Sequence, residues 1–208
     1  MFSLVCTIGG VIAADPAPSL NAESALARLK EGNARFTSSK VSESKPTAAR
    51  RRETAQSQRP FAIILGCADS RTAPEIIFDQ NIGDIFVVRN AGNLVDDHVL
   101  GSIEYAVEHL GARLIVVLGH EKCGAVSAAL AGNTAPAHVQ SIVRDIQPAV
   151  QAVKGKSGDV TKLAVAENAR LMAGRIRAEA QLGELAKQVR VTSAVYDIGS
   201  GTVDWAKE

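Results

Sequence analysis

The chain has 208 residues, 46% of them hydrophobic and 22% charged, a composition that supplies one sizeable core and excludes wholesale disorder. The length is short for two domains. Lys and Arg number 23 against 22 Asp and Glu, a formal charge of +1, which gives no basis for a nucleic-acid surface.

The chain opens on an apolar stretch that runs to Ala14 and ends in Asp15, Pro16 and Pro18. It is too short to cross a bilayer as a helix, and no later run is both long and apolar enough, so no stable membrane insertion is expected. Small residues at Ala13 and Ala14 suit a signal peptidase, although no Lys or Arg stands near the start. Residues 1–18 are therefore read as a signal or unstructured leader, and residues 19–208 as the working domain. Export, to the periplasm for instance, is the expected location, with the cytoplasm as the alternative.

Beyond the prolines, Ala22, Ala25, Leu26 and Leu29 fall at helical spacing, with Asn21 as cap and Glu23 in the first turn. The polar stretch from Thr37 to Pro60 reads as a connector or a thin surface helix. Its cluster Arg50, Arg51 and Arg52 has no interleaved aromatic residue and reads as a solvated face or an oligomer contact. Three apolar runs follow, at 61–66, 84–89 and 113–119, rich in Ile and Val without clean alternation. That is the pattern of strands covered by helices on both faces. Between the second and third, Ile103, Ala106, Val107 and Leu110 line one face of a crossover helix, making a βαβ unit. Two further apolar stripes, Val139 to Val150 and Leu163 to Ile176, precede an alternating strand at 189–198. The order describes a single α/β domain whose mainly parallel central sheet is flanked by helices, with the site at the carboxyl ends of the strands.

Chemistry concentrates in CADSR at 67–71 and GHEKCGA at 119–125. His120 and Cys123 are separated by two residues, which lets both converge on one ion across a turn, and Cys67 supplies a third donor from a neighbouring strand end. Two thiolates and one imidazole suit zinc, with a fourth tetrahedral position left for water or for Asp69. Of the three cysteines, Cys6 falls in the leader, and metal ligation explains how Cys67 and Cys123 persist as thiolates in an oxidising compartment.

CADSR, FVVRNAGN at 86–93, SIEYAVEHL at 102–110 and GHEKCGA, in this order and spacing, resemble the beta-class carbonic anhydrases from about Ala25 to Trp205. The resemblance implies a catalytic domain over 19–208 that hydrates carbon dioxide reversibly to bicarbonate and a proton, by attack of zinc-bound hydroxide. It implies Zn2+ on Cys67, His120 and Cys123, and Asp69 either as fourth ligand or paired with Arg71. It also implies a homodimer or a multiple of dimers, with the cleft near the subunit boundary. In the physical reading, zinc with one open position acidifies bound water towards neutrality. Asp69 orients the attacking oxygen, and Arg71 holds the carboxylate by a bidentate pair.

Gln80 and Tyr105 match pocket positions of the plant-like branch, where an amide would meet developing negative charge; solvent exposure and core packing are their ordinary alternatives. Gly124, following the last ligand, leaves room for the metal loop and an N–H facing substrate. Gly92 and residues 68–71 are expected to shape the cavity through backbone amides. His98, His109 and His138 are weak candidates for proton relay. The competing functions are hydrolysis of carbon disulfide or carbonyl sulfide on the same ligand set, and a metal-binding regulator that has lost catalysis.

Overall fold

Asn21 starts the first helix by accepting the Ser24 N–H at 2.8 Å, and the apolar positions behind it form one buried stripe in α1 (Ala22–Thr37). The computed structural model describes residues 20–42, 47–132 and 134–207. The candidate leader, residues 1–18, lies outside them. Among the described residues, no helix is long and apolar enough to cross a membrane.

The polar connector carries α2 (Ala48–Thr54), which buries no residue. Polar bonds hold it instead: Arg50 gives Nε to the Ile82 carbonyl at 2.8 Å and Nη2 to Asp84 Oδ1 at 2.9 Å. Of the three arginines read as a solvated face, Arg50 is therefore an anchor.

Strand β1 (Ala62–Cys67) leads through α3 (Pro74–Ile77) to β2 (Ile85–Asn90). The crossover helix α4 (Asp97–Glu108) then leads to β3 (Leu114–His120). Helices α5 (Gly124–Ala131), α6 (Val139–Val153) and α7 (Val160–Glu179) follow. A 3-10 turn over Gly183–Gln188 precedes β4 (Arg190–Tyr196) and β5 (Val203–Trp205). The sheet order is β2-β1-β3-β4-β5, with only β5 antiparallel to its neighbour.

Successive residues on a strand face opposite ways, and the core divides accordingly. Ile63, Leu65, Ile115 and Val117 pack with α4 to α7, while Ala62, Ile64, Leu114 and Val116 pack under α1 and α3. Both faces being dry, β1 and β3 are buried throughout, the reason they read as unbroken apolar runs. The second run differs: β2 is an edge strand, and four of its six residues are half-buried. Asn33 locks α1 to the rest, giving Nδ2 to the carbonyls of Ile77 at 3.1 Å and Gly201 at 2.8 Å and accepting the Val203 N–H at 3.1 Å.

Candidate metal centre

Strands β1 and β3 run side by side in parallel, so their carboxyl ends lie together. Cys67 and His120 are the last residues of those strands, one position earlier than loop residues would be. After His120 the chain turns through Lys122, whose φ of 54° is left-handed, and this reversal delivers Cys123 as the residue capping α5. Their donor atoms all lie within 4.8 Å of one another, and all three residues are buried.

The imidazole is oriented for ligation. His120 Nδ1 is 2.9 Å from the Glu121 carbonyl, which only accepts, so the ring proton sits on Nδ1 and Nε2 carries the lone pair. Nε2 is buried and has no hydrogen-bond partner among the described residues. A buried acceptor left open beside two thiols is what a metal ligand needs, and among the described residues this is the group that could hold an ion. Lys162 reaches Glu121 Oε1 at 3.0 Å, tethering the residue whose carbonyl orients the ring.

The sulfurs are prepared unequally. The Cys123 thiol beside it brings the Cys67 thiol down to about 4 against the opposing effect of burial, with His120 and the N–H of Gly92 assisting. Gly92 N–H donates to Cys67 Sγ at 3.4 Å. Cys123 moves the other way, pushed up by its hydrogen bond to Cys67 and by burial. Burial pulls the His120 imidazole down, but the Cys67 sulfur outweighs it and the net direction is up. Two sulfurs that share a proton in this way are a pair from which a divalent cation would displace it.

Asp69 and Arg71 form a bidentate pair, with Nε to Oδ1 at 2.9 Å and Nη2 to Oδ2 at 2.8 Å, and the Arg71 backbone N–H adds a bond to Oδ1 at 3.0 Å. These bonds hold the Asp69 carboxyl well below the usual carboxylate range. Its Oδ2 is 4.0 Å from His120 Nε2. Of the two arrangements the sequence left open, the structure has Asp69 paired with Arg71.

Sequence reasoning assigned no role to two residues at this site. Arg89 gives Nε to the Cys67 carbonyl at 2.8 Å and Nη2 to the Asp69 carbonyl at 2.6 Å, clamping the loop that carries both. Asn168, from α7, gives Nδ2 to the Gly92 carbonyl at 2.9 Å. A cation inside the otherwise apolar run of β2 was the available signal for Arg89. Asn168 had none.

Of the other candidates, Gly124 adjoins the ligands. Gln80 is tied to the Phe78 carbonyl at 2.6 Å and accepts from Arg28 Nε at 3.1 Å, on the α1 side. Tyr105 is 48% exposed on α4, its ring 5.1 Å from that of His109. Gly124 opens α5 directly after Cys123, and a Cβ there would meet nothing within 4 Å, consistent with open space beside the ligands. His98, His109 and His138 are all exposed.

The carbonic anhydrase family profile matches residues 62–203. Carbonic anhydrase 2 of Mycobacterium tuberculosis is 50% identical over 137 residues, 64% of this chain; the match spans 66% of that relative, just under two thirds of its length. In three dimensions the chain is similar to a Coccomyxa beta-carbonic anhydrase solved with acetazolamide, at 27% identity and a TM-score of 0.69, covering 88% of this chain and 86% of that one. It is also similar to a beta-carbonic anhydrase of Aspergillus fumigatus, at 28% identity and a TM-score of 0.64, over 89% and 90% of the two chains. With a buried Cys-His-Cys cluster at the carboxyl ends of its central strands, this chain belongs to the beta-class carbonic anhydrase family.

Proposed function

We propose that the protein is a zinc enzyme that interconverts carbon dioxide and bicarbonate. The observation that carries this reading is the open Nε2 of His120, buried beside Cys67 and Cys123. Two soft sulfurs and one imidazole suit zinc and leave one tetrahedral position free. When bound, zinc supplies a hydroxide near neutral pH.

The residues of the chain do the rest. Asp69 is charged and immobilised by Arg71, so it is a hydrogen-bond acceptor beside the ligands that aims the attacking oxygen. Arg89 fixes the loop that carries both Cys67 and Asp69. The bonds from Arg71 favour the Asp69 carboxylate in its charged form, so it serves as a hydrogen-bond acceptor and not as the base that takes the proton.

A dimer is part of this reading. The edge strand β2 leaves Phe86 and Val88 half-buried, and the large apolar residues Ile76 and Tyr105 are exposed at 63% and 48%. Gln80 and Tyr105 act as substrate contacts in this scheme only if a second copy completes the pocket. Export rests on the apolar run before Asp15, and sequencing the amino terminus of the mature protein tests it.

The direct test is stopped-flow hydration of carbon dioxide with zinc counted per chain, on the wild type and Asp69→Asn. One zinc per chain is expected in both, with turnover lost about 100-fold in the variant, the scale of loss when a reacting atom is misplaced by about 1 Å. A wild-type protein with full zinc and no hydration activity would overturn the assignment.

A further inference from the structure

We propose that Asn168 is a positioning residue of the metal centre, its side-chain amide holding Gly92 so that the Gly92 N–H stays on the Cys67 sulfur. The inference rests on the reading of Cys67, His120 and Cys123 as metal ligands and adds a connection from α7 to one of them.

Asn168 is a polar residue on the buried face of α7, among Ala164, Val165, Ala169, Met172, Ala173 and Ile176, and it is 1% exposed. Among the described residues, its one side-chain hydrogen bond runs from Nδ2 to the Gly92 carbonyl at 2.9 Å, and its Oδ1 is buried with no partner. A half-satisfied amide in an apolar interface is unfavourable, and a leucine of similar size would fill the place without that cost. The asparagine is thus kept at a cost at Oδ1, and what it provides in return is a donor for the buried Gly92 carbonyl.

Gly92 needs holding from outside. Its φ is 80°, and a Cβ would come within 3.0 Å of Ile146 Cδ1 and 3.5 Å of Ala125 Cβ, so the position excludes a side chain that could fix itself. The flanking turn is closed by Asn90, which accepts the Leu94 N–H at 2.7 Å and gives Nδ2 to the Leu94 carbonyl at 2.8 Å. Asn90 fixes the ends of the turn, and Asn168 fixes the carbonyl of the same glycine whose N–H faces the sulfur. The result is a chain of contacts, Asn168 to Gly92 carbonyl and Gly92 N–H to Cys67 Sγ at 3.4 Å. A hydrogen bond to a ligating thiolate sets the direction of its lone pairs and withdraws charge from it, so the sulfur's donation to the ion depends on where Gly92 sits.

The experiment compares wild type, Asn168→Leu and Met172→Ala. Met172 lies on the same buried face and is 4% exposed, so its truncation loosens α7 while leaving the Asn168 donor to Gly92 in place. Each protein is loaded with cobalt(II) and the thiolate-to-cobalt charge-transfer absorption recorded; zinc affinity is measured by competition with a chromophoric chelator, and thermal unfolding is followed without metal. Asn168→Leu is expected to fold with a melting temperature lowered no more than that of Met172→Ala, the orphaned Gly92 carbonyl being offset by removal of the unpaired Oδ1, to bind zinc about tenfold or more weakly, and to shift the charge-transfer band. Met172→Ala is expected to melt earlier with the band in place. A folded Asn168→Leu with unchanged band and affinity overturns the proposal, as does a Met172→Ala that moves the band equally. Failure of the wild type to bind either metal would instead overturn the metal-centre reading. Should Asn168→Leu not fold, Asn168→Ala removes the same donor without adding a branch and carries the same comparison.

Discussion

Replacing Arg71 with alanine removes the guanidinium that occupies both oxygens of Asp69. Two side-chain bonds are lost, at 2.9 and 2.8 Å, while the backbone N–H bond to Oδ1 at 3.0 Å survives. The freed Oδ2 already sits 4.0 Å from His120 Nε2, inside the 4.8 Å within which the three donor atoms lie. Nothing else in the side-chain hydrogen-bonding of Asp69 then keeps the carboxylate off the ligand cluster, and it is expected to compete for the open position. Because the Arg71 side chain is 49% exposed, solvent screens the pair, and the expected loss of turnover is about 30-fold, below the ~100-fold that a misplacement of about 1 Å can cost. The assay is stopped-flow hydration of carbon dioxide at saturating substrate, with zinc counted in the same samples. Zinc content is expected to stay full while turnover falls about 30-fold. Arg71→Lys, which keeps the charge but not the fork, should recover part of it. Turnover within twofold of wild type at full zinc would refute the reasoning, because Asp69 would then hold its working position without its partner.

Other perturbations probe the frame around the site. Gly32→Ala should destabilise the fold by roughly 2–3 kcal/mol or more despite the better helix former, because the new Cβ would meet the Phe78 carbonyl oxygen at 1.8 Å; denaturant unfolding measures it, and a stabilised variant would refute that close approach. At Lys122, with φ at 54°, glycine should raise stability by up to about 1 kcal/mol, whereas valine should weaken zinc retention on dialysis by disturbing the turn between His120 and Cys123. Burial pushes the Asp79 carboxyl up, but the bonds from Arg35 and Ser42 outweigh it and lower it overall. Its stabilising contribution is thus complete above the unfolded value of about 3.9 and is lost as pH falls towards the folded one. Melting temperature should accordingly fall less steeply below about pH 4 in Asp79→Asn, which keeps a residue tolerant of the left-handed φ of 47°; an unchanged acid limb would remove Asp79 from the account.

The parts of the fold legible in the sequence are those whose burial leaves a periodic trace. Strands β1 and β3 are covered on both faces and appear as unbroken apolar runs, and α1 carries both its stripe and its Asn21 cap. Strand β5 has three residues and α3 has four, too few to establish any period. Helix α5 is built mainly of Ala and other small residues, so it shows little contrast between its faces. The edge position of β2 depends on which strands pair, which its apolar run does not encode.

The same distinction runs through the metal centre. Cys67, His120 and Cys123 are legible because ligation demands particular side chains, and Asp69 with Arg71 because an ion pair two residues apart needs both charges. Their placement is governed differently: Arg89 grips two backbone carbonyls, Glu121 orients the imidazole through its own carbonyl, and Gly92 meets Cys67 with a backbone N–H. Every residue has a carbonyl and all but proline an N–H, so these contacts leave no signature in residue type at the backbone end. They exist only because β1, β2 and β3 end side by side and α7 crosses behind them. Substituting a ligand therefore tests whether a metal is held, whereas substituting Arg89 or Asn168 tests whether it is held in the geometry that makes it useful.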